Sequence, residues 1–133
     1  MIADERTSDA VGALIQQTYA AMSTPGSDVA ELFGAADIAI AGSGLGELWT
    51  GPEEAVGAAA TVASWGLGWT TDKVTIWRKG DVAWAQILGS VRVIRDGIDE
   101  AVPYWTTGVF GWEGDLWRWL YWGGSEPQES PKV

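Results

Sequence analysis

The side chains available for chemistry in this sequence are few in kind. It contains no histidine and no cysteine. That removes Ser-His-Asp and Cys-His nucleophile arrangements, imidazole and thiolate metal sites, disulfides, and the side chain most used for proton transfer near neutral pH. Acid–base work falls to carboxylates, tyrosine or lysine. Asp37 and Glu47 flank a glycine-rich turn, Gly42-Ser43-Gly44-Leu45-Gly46, and Tyr19 lies late in an apolar-striped segment. A carboxylate held in an apolar hollow has its pKa raised and can act as a general base. Both acids also have structural readings, Asp37 as a charge guarding an edge strand and Glu47 as a partner of turn amides or of Arg118. The turn has a phosphate loop's glycines without its following helix and lysine, so no phosphate site is expected there; with imidazole and thiolate ligands missing, no metal is expected, and no cofactor is expected either.

The elements that must position these residues follow from periodicity. Thr7 or Ser8 is expected to cap a first helix whose apolar positions Val11, Leu14, Ile15, Tyr19 and Met22 recur at helical spacing, with Pro25-Gly26 ending it. Ser27-Asp28 then caps a short second helix carrying Val29, Leu32 and Phe33. Residues 37–41 and 47–50 read as a short hairpin. Gly51-Pro52-Glu53-Glu54 opens a third helix running to about Trp65, with proline and two acids where free N–H groups favour them. Beyond it the period becomes two. Residues 69–78, 81–95, 98–112 and 115–123 read as long strands joined at Lys79-Gly80, Asp96-Gly97 and Glu113-Gly114, three successive antiparallel hairpins. The predicted class is α+β, three helices packed on a strongly curved antiparallel sheet, forming one domain over residues 1–124 with a loose tail at 125–133.

Charge narrows the partners. Eighteen acids face eight bases for a net charge of −10, and residues 1–72 carry ten of those acids against Arg6 alone. Such a surface repels phosphate backbones and anionic lipid, so neither nucleic acid nor membrane is expected as a partner. The acidic start, Asp4-Glu5, does not read as a signal peptide, and the expected location is cytoplasmic. With 47% hydrophobic and 20% charged residues the chain has enough apolar content for one core.

The element order and three local matches resemble the SnoaL-like branch of the nuclear transport factor two-like superfamily, the cone-shaped fold shared with ketosteroid isomerase. The matches are residues 36–40 (Ala-Asp-Ile-Ala-Ile), residues 44–55 from Gly44-Leu45-Gly46-Glu47 through Pro52-Glu53-Glu54-Ala55, and Asp81-Val82-Ala83-Trp84 together with residues 117–125. The resemblance implies a pocket between the sheet's concave face and the helices. It places Tyr19 near the oxyanion-donating tyrosine of ketosteroid isomerases and their second oxyanion residue near Thr106 or Thr107. It sets Gly42 where their general-base aspartate stands, and a glycine cannot take a proton. Tyr121 and Gly123 stand where many SnoaL-like sequences have two histidines. On the last strand it implies that Arg118, Leu120, Trp122 and Gly124 face inward and Trp117, Trp119, Tyr121 and Gly123 outward. Aromatic residues on both faces predict a homodimer through the outer face.

Ten residues are tryptophan, more than a core of this size requires. Tyr19, Trp49, Trp65, Trp84 and Trp122 are expected to border the concavity, with Arg118 pairing a carboxylate or receiving a ligand anion. Flat rings with few polar groups suit a small planar apolar or aromatic ligand. The resulting expectation is a small-molecule-binding pocket protein. Its alternatives are an isomerase or polyketide-type cyclase, with Asp37 or Glu47 as base and Tyr19 as oxyanion donor, and a structural or assembly domain whose cavity is filled by its own indoles.

Overall fold

The structure, a computed structural model, describes residues 1–129. Helix α1 (Glu5–Met22) begins earlier than Thr7 or Ser8 would have it. Asp4 is its N-cap, and the Asp4 carboxylate accepts the Thr7 N–H at 2.7 Å. Thr7 is instead buried on the helix's inner stripe, where its hydroxyl accepts from Arg78 Nη1 at 2.8 Å. The short second helix is absent. Leu32 and Phe33 N–H both reach the Val29 carbonyl at 3.1 Å, closing a single turn before Gly34. One turn between two loops cannot repay helix nucleation, and it serves to bury Phe33 completely.

The remaining elements are β1 (Ala39–Ala41), β2 (Leu48–Thr50), α2 (Pro52–Ser64), β3 (Gly68–Lys79), β4 (Val82–Arg95), β5 (Ile98–Trp112) and β6 (Trp117–Ser125). They form an α+β fold with two helices on a six-stranded sheet in the order β2-β1-β6-β5-β4-β3. The meander is antiparallel as expected, with Gly80, Gly97 and Gly114 at positive φ in its turns. One contact is parallel. β1 lies beside β6 with Ile40 opposite Trp122, because α2 and the whole meander intervene between them and return the chain in the same direction. The N-terminal residues partly cover the free edge of β3, Ala3 N–H bonding the Ile76 carbonyl at 3.0 Å and Arg78 N–H the Met1 carbonyl at 3.2 Å.

A bulge in β6 sets which side chains enter the core. Val109 pairs Tyr121 while Phe110 pairs Trp119, so Leu120 is an extra residue with no partner on β5. Below the bulge the parity is the reverse of the expected one: Trp117 and Trp119 are buried and Arg118 is not. Above it Trp122 faces inward as expected and Tyr121 outward. Trp119 is wholly buried and donates its indole N–H to Thr18 Oγ1 at 2.9 Å. Small residues opposite make the room. A Cβ on Gly108 would stand 2.8 Å from the Trp119 ring. On β4 the inward set is Ala83, Ala85, Ile87 and Val91, which sends Trp84 to the outer face, where it stacks on Trp77 with centroids 6.5 Å apart and planes 12° from parallel.

Candidate functional site

A cavity of about 260 Å³ opens between the inner face of the sheet and α2. Its floor is Phe33, Ile40, Trp69 and Trp122; α2 contributes Ala58, Ala59, Val62 and, just beyond its end, Trp65; β4 and β5 contribute Val91, Val93 and Val102. The alanines of α2 matter because a slim helix face leaves the hollow unfilled. Trp49 reaches the cavity from β2 and Leu67 from the approach to β3. Trp69 stands nearly perpendicular to both Tyr104 and Trp122, with centroid distances of 5.0 and 6.0 Å. Its Nε1 is shut from solvent without a hydrogen-bond partner.

The polar groups at the cavity are Ser43, Glu47, Tyr104, Arg95 and Glu126. Glu47 is held by the turn that precedes it. Its Oε1 accepts the Gly44 N–H, and its backbone carbonyl accepts the Gly42 N–H at 2.8 Å. The glycines provide the seat: a Cβ on Gly42 would lie 2.9 Å from Glu47 Cβ and 3.0 Å from Oε1. The half-buried carboxylate therefore occupies the room that a side chain at position 42 would take. Tyr104 extends inward from β5, and burial pushes its hydroxyl pKa up, with the negative charges of Glu47 and Glu126 adding to the shift. Hydrogen bonding with the side chains of Ser43 and Trp122 pulls the other way.

Of the residues expected at the site, Trp49, Trp65, Trp122 and Glu47 meet there. The others do not. Tyr19 lies behind the cavity wall, 3% exposed, with its ring against Trp122 and Trp69 and its hydroxyl donating to Thr106 Oγ1 at 2.9 Å. Burial pushes its pKa up to about 12. Trp84 is on the opposite face of the sheet. Arg118, displaced by the bulge, lines a separate groove with Arg6, Leu14 and Leu116, and its Nε sits 3.5 Å from Glu113 Oε2, so it neither pairs with Glu47 or Asp37 nor enters the cavity. Asp37 is exposed in the turn before β1 and does not line the hollow.

Tyr104, Ser43, Arg95 and Glu126 are site residues that sequence reasoning does not single out. The inward parity of β5 follows from Thr106, and knowing that Thr106 faces inward would have placed Tyr104 two residues away on the same face. Glu126 belongs to residues 125–129 of the expected tail, which after Ser125 follow β6 without regular structure; the remaining tail, 130–133, lies outside the described residues. Among the described residues no cluster of three acids stands together as a metal site would require. The arrangement can enclose an apolar body and meet it with one polar end.

Solved structures share this architecture at low identity. A candidate dehydratase of the NTF2-like family from Streptomyces avermitilis matches with a TM-score of 0.80 at 16% identity, covering 94% of this chain and 99% of its own. An NTF2-like superfamily protein from Salmonella enterica serovar Typhimurium matches at 0.79 and 13%, covering 97% and 96%. A candidate ketosteroid isomerase from Shewanella frigidimarina matches at 0.72 and 19%, covering 87% and 94%. These likenesses establish the fold. No curated protein matches. The family model of the SnoaL-like domain matches residues 11–129, from Val11 in α1 to beyond the end of β6, and the chain belongs to the SnoaL-like family.

Proposed function

We propose that this chain is a small-molecule-binding protein whose cavity receives a planar apolar or aromatic ligand, and that it works as a homodimer without nucleic-acid or membrane partners. The observation that carries the reading is a hollow of about 260 Å³ bordered by Trp49, Trp65, Trp69, Tyr104 and Trp122. A core closed for stability alone would fill that space, since interiors pack to near crystal density. The hollow favours a binding role over a structural domain filled by its own indoles. It also favours binding over isomerase or cyclase chemistry. Glu47 is in the cavity, but Tyr19, its intended oxyanion donor, is spent on Thr106 behind the wall.

Titration with planar apolar molecules should quench or shift indole emission. Trp49→Ala is the informative variant, because Trp49 is half-buried at the cavity and borders no ring pair of the core; it should weaken binding by about 1–3 kcal/mol if the ring is a central contact. Unchanged emission across a panel of polycyclic compounds would overturn the reading.

A further inference from the structure

We infer that the ligand carries a positive charge: the cavity is built for a planar apolar molecule bearing an ammonium group, recognised by the Glu47 carboxylate and the surrounding indole rings. This rests on the binding role proposed above and specifies its ligand. The first observation is the fixed carboxylate. Glu47 is half-buried at the cavity with one oxygen tied to the Gly44 N–H, so its charge is held in place, without the entropy cost of ordering a free side chain. Glu126 lines the same cavity, so two acids stand around the hollow.

The second observation is the rings. Trp49, Trp65, Trp69 and Trp122 line the same cavity as Glu47, so a ligand beside the carboxylate also meets indole rings. The face of an indole attracts a cation and repels an anion, and the attraction grows when both are removed from water. Among the described residues the cavity's one base is Arg95, set against the two acids Glu47 and Glu126, so two acids less one base leave the lining with a net charge of −1. Arg95 is exposed, where water weakens its charge more than that of the half-buried Glu47.

The test uses three probes with one ring system and three charges: (2-naphthylmethyl)trimethylammonium, 2-naphthylmethanol and 2-naphthylacetate, measured by calorimetry on the full chain. The ammonium should bind at least about tenfold more tightly than the alcohol, and the acetate most weakly. Glu47→Gln keeps an oxygen for the Gly44 N–H and should shrink the ammonium's advantage over the alcohol while the alcohol's affinity holds; an advantage left undiminished overturns the role of Glu47. Should that variant fold poorly, raising salt from about 20 mM to about 500 mM with the unaltered chain should narrow the same gap. Equal binding of ammonium and alcohol, or tightest binding of the acetate, overturns the charge assignment and leaves the apolar pocket standing. Binding of none of the three overturns both.

Discussion

The hydroxyl of Tyr19 illustrates how one residue's environment decides its use. Bonded to Thr106 Oγ1 and buried under two indoles, it is held neutral, with a pKa of about 12 against an ordinary 10.0. A folded-state pKa above the unfolded one means that the native state keeps its proton longer. The associated stability is therefore complete below about pH 10 and is lost as pH rises through about 12, for an amount on the order of 2–3 kcal/mol. Tyr104, also raised by burial, adds in the same direction. Urea unfolding followed from pH 9 upward, between about pH 9 and 12, should show this fall, and Tyr19→Phe should flatten it. At neutral pH the same variant leaves Thr106 without its partner and should cost about 1–3 kcal/mol; an unchanged midpoint would show that the bond is not holding the core. Trp122 belongs to the core as much as to the cavity, since its ring meets Tyr19, Phe33, Trp69 and Trp119. Trp122→Ala should thus lower stability by about 3–5 kcal/mol, which thermal unfolding would register before any ligand is added.

At the scale of elements, the meander was legible because its turns carry Lys79-Gly80, Asp96-Gly97 and Glu113-Gly114 between alternating runs, and α2 because Pro52-Glu53-Glu54 marks its start. What escaped is non-local. No local residue announces the β6 bulge, which exists because Trp119 must reach Thr18 and Phe110 while Trp122 faces Ile40 and α2's hollow; a regular strand puts residues 119 and 122 on opposite faces. That single extra residue accounts for two misplacements at once, Arg118 leaving the cavity and Trp117 with Trp119 leaving the outer face. The parallel β1–β6 contact and the one-turn fate of residues 29–33 depend likewise on the rest of the sheet. Of the candidate site, Trp49, Trp65, Glu47 and Trp122 were visible in the sequence, whereas Trp84 and Tyr104 turned on strand parity. The bulge requires Trp119 to fit against Gly108, so Gly108→Ala, whose Cβ would come 2.8 Å from the Trp119 ring and 2.9 Å from that of Phe110, should destabilise by about 1–3 kcal/mol. A midpoint equal to that of the parent chain would show that β6 can shift to accommodate it.

At the scale of the whole molecule, the proposed homodimer has to suit both the outer face of the sheet and the distribution of charge. With Trp117 and Trp119 in the core, the outer face still carries the stacked pair Trp77–Trp84, with Leu88, Val109, Leu120 and Tyr121 half-buried around it and Trp105 41% exposed. The polar row Thr75, Gln86 and Thr107, with Thr107 Oγ1 bonded to Gln86 Oε1 at 3.0 Å, divides these apolar side chains, and we propose that a second copy of the chain covers them. Although two chains of net charge −10 repel, residues 73–133, which supply the four long strands of the sheet apart from the start of β3, carry eight acids against seven bases. Pairing sheet to sheet therefore brings near-neutral surfaces together and leaves the acidic helical halves apart, and a two-fold arrangement lets each Trp77–Trp84 pair meet the other copy's sheet. Sedimentation at tens of micromolar, about the concentration at which a standard interface is fully formed, should find a dimer of this 14.2 kDa chain. Trp84→Glu, on the face opposite the cavity, should give monomers that still bind ligand. A parent chain that sediments as a monomer at that concentration would overturn the association, and a Trp84→Glu dimer would move the interface to another surface.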